Sequence, residues 1–429
     1  MSNTWVELDL SILGANLRSL RRALTPRTKI IFVVKSNAYG HGMLPVARHA
    51  WKCGVKWFAV AHIDEALALR KLLSRAEIII AGAIAPKDTA RAIRHRLIPV
   101  IVDEKHAAAL AAAASRAGSK LRCHAKVDTG MGRLGFAWKE AGKLLPVLAH
   151  RKSLDICGIC SHFASVGANP SRRKAAPTKD GREFACLQFD RFRKVVAACE
   201  KAGMKNLFKH MSNSGGILCD SAWHMDGVRP GILVYGYGKD VKKENIQYST
   251  LNIQCPSGKM GAKLHTWKLG IGNSILDISS AKTKRQRTTG NGQLTTSPFL
   301  SWKTRILQIK RVPSGFPVSY DSTHVTRKPT SIATIDAGYA DGYHRALSNK
   351  GIVVAGGRRC PVVGRVTMNL VMIDLGPATK VRERDEVMLI GSQGRQSVWA
   401  SELATLAGTI PYEILTSIRT DERRIIPGK

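Results

Sequence analysis

The sequence is poor in acid. Aspartate and glutamate number 31 against 67 lysines and arginines, which leaves a formal charge of +36 over 429 residues. Such an excess of cations favours anionic ligands through the field of the whole protein. It does not describe a nucleic-acid reader. The cations are spread along the whole chain, aromatic residues make up only 6%, and no nucleic-acid-binding motif accompanies them. Long apolar runs are also missing: none approaches the roughly 20 residues that cross a bilayer. The opening MSNTWVELDL lacks a basic n-region and an apolar h-region, so no secretion signal is expected. Neither a membrane nor a specific nucleic acid is therefore expected as a partner. Cysteine is sparse, nine residues in an odd count scattered through apolar segments, which suits a reducing, cytoplasmic setting. One pair, Cys157 and Cys160 in CGIC, has C-x-x-C spacing but sits in a strand-like run. Residues three apart on a strand face opposite ways, so neither a redox centre nor a metal site is expected.

What is present is material for two cores. Hydrophobic residues make up 44%, and 429 residues exceed one ordinary domain. Over residues 1–238, short apolar β-rich runs alternate with helical periodicity. Eight strands are expected, at IIFVV (30–34), WFAVA (57–61), EIIIAG (77–82), IPVIV (98–102), CHAKV (123–127), ICGICSH (156–162), FKHMSNS (208–214) and GVRPGILVYG (227–236). Between them, Leu13, Leu17, Leu20 and Leu24 recur at helical spacing behind Ser11, a candidate N-cap. Gly203 ends another helical stretch. Eight strand–helix repeats imply a (β/α)8 barrel, a fold whose functional residues sit at the C-terminal ends of its strands. Residues 298–429 read as a mostly β second domain of short strands and glycine-bearing turns. Residues 239–297 fit neither pattern and read as a basic, flexible insertion or linker. A second loop-like insertion is expected at 167–183.

Ile31–Gly42, IFVVKSNAYGHG, places a lysine at the end of a buried strand. Lys35 reads either as a surface lysine or as one partly desolvated to work as a neutral amine. Its company decides. HAKVDTGMGRLGF (124–136), SHFA (161–164), HMSNSGG (210–216), VRPGILVYG (228–236), AGYADGYHRALSNKG (337–351) and GRVTMNL (364–370) follow it in order. Together they resemble the alanine racemase family of fold-type III pyridoxal-phosphate enzymes, over both domains and apart from the insertions.

The resemblance implies an α/β chain with a barrel that binds pyridoxal 5'-phosphate, and a β domain that supplies a second base. It implies racemisation of alanine, which serves peptidoglycan synthesis. A broader amino-acid racemase, for serine or basic amino acids, and a non-catalytic cofactor-binding protein are the alternatives. GYADGY and GRVTMNL argue against the latter. An α-proton is too weakly acidic to be removed without an electron sink, and pyridoxal phosphate is that sink. By resemblance Lys35 holds it as a Schiff base and acts as one base, and Tyr339 is the base for the opposite face. His162 and Arg229 line up behind that tyrosine, and Arg229 bonds the pyridine nitrogen. Tyr39, Ser214, Gly231, Ile232 and Tyr412 match phosphate-binding positions, and Asn213 belongs to the same pocket. Arg133 meets the cofactor's phenolic oxygen and the substrate carboxylate, which also takes the backbone N–H of Met368. Lys126 matches a position that carries a carbamate in many members; a solvated lysine near a strand end is the other reading. Asn369 departs from the aspartate common there, which implies altered tuning. A head-to-tail homodimer with shared sites is implied, and no metal.

Overall fold

The computed structural model describes residues 4–166, 181–238 and 294–427. The insertion expected at 239–297 and the loop at 167–183 lie mostly outside these residues. The part of the latter that is described, from Gly181, already belongs to a helix.

Eight parallel strands close into a barrel. They are β2 (Lys29–Val33), β3 (Trp57–Val60), β4 (Glu77–Ile80), β5 (Ile98–Ile101), β6 (Leu121–Asp128), β7 (Leu154–Cys160), β8 (Phe208–His210) and β9 (Gly227–Val228). Each pairs with the next, and β9 returns to β2. All eight fall where the apolar runs predict them. Parallel strands are covered on both faces, hence their near-continuous apolar character. Ile30 and Phe32 pack outward into the main core, while Ile31 joins Ala59, Ile79, Ile98 and Val100 inside the barrel.

Helices α1 (Leu10–Ala23), α2 (Met43–Lys52), α3 (Ile63–Leu72) and α4 (Thr89–Arg94) cover the outside. So do α5 (Glu104–Arg116), α6 (Trp138–Ala149) and α7 (Gly181–Lys201). The cap of α1 is Asp9 rather than Ser11: its carboxylate accepts from the Ser11 backbone N–H at 3.0 Å. Gly203 follows α7 with φ +90°, as a helix terminator should.

Among the described barrel strands, the register shifts at one place. The β6–β7 register shifts between Cys123 and His124, so Ile156 faces Cys123 while Gly158 faces His124. The extra residue is Cys157. This bulge turns Cys157 and Cys160 toward the same barrel interior, against the opposite facing expected of them. Both are free thiols.

The second unit is mostly β, as expected. The long strand β10 (Leu300–Val312) pairs with β11 (Thr330–Ile335) and β13 (Glu386–Gln393), and β11 pairs with β12 (Val371–Gly376). This sheet also takes the chain's beginning and end. β1 (Trp5–Asp9) pairs antiparallel with β10 and parallel with β14 (Arg423–Ile426). Trp5–Asp9, at the start of the stretch 1–238, thus pair in the sheet of the second unit. Among the described residues, no helix is long and apolar enough to cross a membrane.

Candidate active site

Ile31 and Val33 face the barrel interior, and two residues on, past the strand end, comes Lys35. It lines a cavity of about 720 Å3 at the barrel mouth. Behind it, Ser36, Asn37, Ala38 and Tyr39 hold φ between +52° and +54°, one left-handed turn built from non-glycine residues. Each such residue costs roughly 1–2 kcal/mol, so the turn must be held from outside. The Glu65 carboxylate accepts from the Ser36 N–H at 2.6 Å, and the Asn37 side chain accepts from the Met43 N–H at 2.8 Å. At Gly40, φ +79°, an added Cβ would lie 2.1 Å from the Leu415 carbonyl oxygen. The far end of the turn is therefore pressed against the C-terminal helix α8 (Pro411–Thr416) and Ile418, the residue after its cap.

The floor of the mouth is Arg229, just past β9 and buried. Its Nη1 donates to His210 Nδ1 and, at 2.9 Å, to the His210 carbonyl. Its Nη2 faces the Ser161 carbonyl, the Met211 carbonyl at 2.8 Å and His162 Nδ1 at 3.2 Å. A guanidinium only donates, and this assigns the tautomers. His210 and His162 accept at Nδ1 and carry their protons on Nε2. His210 Nε2–H then donates to His124 Nδ1 at 2.9 Å, which leaves the His124 Nε2–H without a partner among the described residues. Burial, reinforced by Arg229, holds His162 and His210 well below the ordinary imidazole range. His124, wholly enclosed, is lowered to about 3.

Two donors face outward from this spine. No described residue accepts from Arg229 Nε–H. The His162 Nε2–H finds no acceptor in Asn213, whose Nδ2, 3.4 Å away, is itself a donor. That amide is fixed, because its Oδ1 accepts from Gly216 N–H at 3.0 Å and its Nδ2 donates to the Phe163 carbonyl at 3.3 Å.

At one side of the mouth, Ser214 Oγ accepts from the N–H groups of Gly231 and Leu233 at 3.1 and 3.2 Å. A Cβ on Gly231 would stand 2.4 Å from Tyr39 Oη, so only glycine lets that phenol in. Tyr39 packs on Tyr235 and Tyr412, ring centroids 4.7 and 5.9 Å away. Opposite lie Arg133 and Lys126, the latter 9% exposed. Lys35 is lowered by burial and then by Arg133, against an upward pull from Glu65. Lys126 is lowered chiefly by burial.

Eleven positions singled out in the sequence line this one cavity: Lys35, Tyr39, Lys126, Arg133, His162, Asn213, Ser214, Arg229, Gly231, Ile232 and Tyr412. Four are cations, and no carboxylate lines the wall. A model of the alanine racemase N-terminal domain matches residues 8–239, and one of its C-terminal domain matches 299–426.

The chain belongs to the alanine racemase family.

The alanine racemase of Syntrophobacter fumaroxidans is 36% identical over 418 residues, 97% of this chain and 96% of that one. The crystal structure of alanine racemase from D-cycloserine-producing Streptomyces lavendulae superposes with a TM-score of 0.78 at 30% identity, covering 100% of this chain and 98% of that one. That of Bartonella henselae, with covalently bound pyridoxal phosphate, gives 0.75 at 27%, covering 99% of each. This member of the alanine racemase family is an isomerase that interconverts L- and D-alanine, and the family depends on pyridoxal phosphate.

Two expected residues of such a racemase are elsewhere. Tyr339 and Met368 are 42% and 57% exposed and do not line the cavity. They belong together: the Tyr339 N–H donates to the Thr367 carbonyl at 3.0 Å, and the Ala340 N–H to the Met368 carbonyl at 2.9 Å. Asn369 is exposed in the same turn. Three residues went unassigned in the sequence. His124 and His210 stand inside quoted motifs, and their signal was a histidine within an apolar strand. Glu65 lies in an ordinary amphipathic helix and carries no such signal.

Proposed function

We propose that this chain holds pyridoxal phosphate at the barrel mouth and moves the α-proton of alanine between Lys35 and the Tyr339 of a second copy, in a head-to-tail homodimer. The observation that carries the reading is the cavity: four cationic side chains, no carboxylate, and a half-buried lysine at a strand end. The residues present fit the cofactor. Its phosphate would take the hydroxyls of Tyr39, Ser214 and Tyr412 and the N–H groups of Gly231 and Ile232. Its ring nitrogen would take Arg229 Nε–H, and Asn213 would flank the same site. Bound there, the cofactor draws the electrons of the α-carbon into its ring and so acidifies the α-proton.

The chain's own groups do the rest. An always-charged guanidinium at the ring nitrogen opposes ring protonation. Arg133 takes the substrate carboxylate, with the Met368 backbone N–H as second donor. Lys35 Nζ exchanges the proton on one face and Tyr339 Oη on the other. His162 Nε2–H is free to donate to that phenol and so favours its ionised form. Lys126, buried beside Arg133, is favoured as the neutral amine, the form that adds CO2 and releases a proton to give a carbamate. That anion would orient Arg133.

The dimer is supported by placement. Tyr339 and Met368 form one exposed unit, and the cavity of the same chain lacks both. We place the enzyme in the cytoplasm and assign its D-alanine to peptidoglycan synthesis, both on the family's footing.

The test is subunit mixing. Lys35→Ala and Tyr339→Phe homodimers are each impaired. Mixed after dissociation, they form a dimer with one wholly native site. Activity must rise on mixing. Two inactive preparations that stay inactive once hybrids are demonstrated by mass would overturn the shared site.

A further inference from the structure

We propose that Glu65 is a positioning residue for the Lys35 amine. This rests on the reading of Lys35 as the cofactor-bearing lysine. Glu65 is the third residue of α3, and its carboxylate is fully committed to backbone donors. Oε2 accepts from the N–H groups of Ala61 and His62, at 2.9 and 3.2 Å, where the chain leaves β3. Oε1 crosses to the neighbouring strand end and accepts from Ser36 N–H at 2.6 Å. One carboxylate thus ties the β3–α3 loop to the residue directly after Lys35.

That residue begins the left-handed turn. Four consecutive non-glycine residues at φ above +50° persist only where the surroundings over-determine them. The far end of the turn has Asn37, Met43 and the Leu415 carbonyl. At the near end the Ser36 N–H has the Glu65 carboxylate. Without it the chain around Ser36 is free to relax, and Lys35 moves with it.

The charge matters as well as the bond. The titratable groups that share the cavity with Lys35 are Arg133 and Lys126 from β6 and its loop, His162 from the end of β7, His210 of β8, Arg229 past β9, and the phenols of Tyr39 and Tyr412. The cavity wall holds no carboxylate. Glu65 is the acid that acts on Lys35 from outside it, and it opposes the combined pull of burial and Arg133. It keeps the amine able to carry a proton, where a fixed neutral amine could only accept one.

The experiment is trace acetylation of the full-length chain stripped of cofactor, with acetic anhydride across pH and the Lys35 peptide read by mass spectrometry. Only the neutral amine reacts. Glu65→Gln keeps the size and one acceptor oxygen and removes the charge. Its half-point must move to lower pH, so that just below the native half-point Lys35 labels about threefold to tenfold faster, the effect of losing an opposite charge nearby. A titration curve that superposes on the native one overturns the proposal. Should Glu65→Gln melt too early to titrate, Glu65→Asp, which keeps the charge, must label close to the native curve; a shift to lower pH in that variant overturns it too. Protection of Lys35 by added pyridoxal phosphate reports on the cofactor reading separately. Its absence would sink that reading and leave the titration result standing.

Discussion

The barrel mouth and the Tyr339–Met368 loops, the two halves of the proposed site, are built in opposite ways. The mouth is enclosed and wired. Arg229 spends its Nη hydrogens on His210, His162 and carbonyls from two loops, and its orientation is fixed before any ligand arrives. The loops are exposed at Tyr339 and Met368 and are held at their bases, by the Tyr339 and Ala340 N–H groups and by the Asp341 carboxylate, which accepts from the Gly338 N–H at 2.9 Å. A buried, hydrogen-bonded half can bind a cofactor by itself. An exposed half on a rigid sheet edge needs something to be pressed against. Binding and turnover should therefore be separable by mutation.

The largest effect expected is at Lys35. Lys35→Ala removes the proposed base and the proposed covalent anchor together, so activity should fall by at least the 10²–10⁴-fold of a positioned acid–base group. Borohydride should then fix no cofactor on the chain. Fixation at another lysine would break the assignment of the mouth.

Tyr339→Phe sharpens the comparison from the other side. The ring stays and the titratable oxygen goes. Turnover should fall about 10²–10⁴-fold while cofactor affinity, measured by fluorescence titration, is unchanged. Affinity that falls with turnover would mean the two halves are not separable. In deuterated solvent, exchange without inversion should persist for the enantiomer that faces Lys35 and vanish for the other.

Gly231→Ala tests the mouth alone. The new Cβ would stand 2.4 Å from Tyr39 Oη, and overpacking of this kind costs about 1–3 kcal/mol. Cofactor affinity should weaken about tenfold to a hundredfold, with the exposed loops untouched.

The smallest effect is on acid stability. His41, enclosed behind the left-handed turn, is lowered from 6.5 to about 4, and His124 from 6.5 to about 3, burial being the chief cause. The unfolded chain binds these protons below about pH 6.5 and the folded chain only at lower pH, so stability is present above 6.5 and is lost as pH falls from there. The described histidines of the second unit, His324 and His344, are only half-buried. Hydrogen exchange between pH 6.5 and 4 should therefore show barrel amides losing protection first. Equal loss in both units would remove the electrostatic contrast between them.

Local information was written in the sequence, and it was enough for the barrel. Short β-rich runs such as Ile98–Ile101, buried at every position, alternate with helical spacing, and that period needs no distant partner to be read. The order of the motifs likewise placed eleven side chains at one mouth, because in a barrel every strand end opens on the same side. What depends on contacts between distant segments could not be read. Ile425, Val6 and Trp302 are apolar residues of strand-like runs anywhere in the chain; only tertiary pairing sets β1 between β10 and β14. The bulge at Cys157 comes from the register between two strands, so alternation within one strand could not foretell it. Of Ser36, Asn37, Ala38 and Tyr39 only the asparagine tolerates left-handed backbone readily, and the run of four is held there by Glu65 and Leu415, 29 and some hundreds of residues away. Tyr339 was named by its motif, yet its distance from the cavity was decided by the fold. The sequence by itself determined which elements form and which chemistry they carry; the tertiary structure decided which ends meet, because a contact between distant segments is set by how the elements pack and not by the residues next to either one.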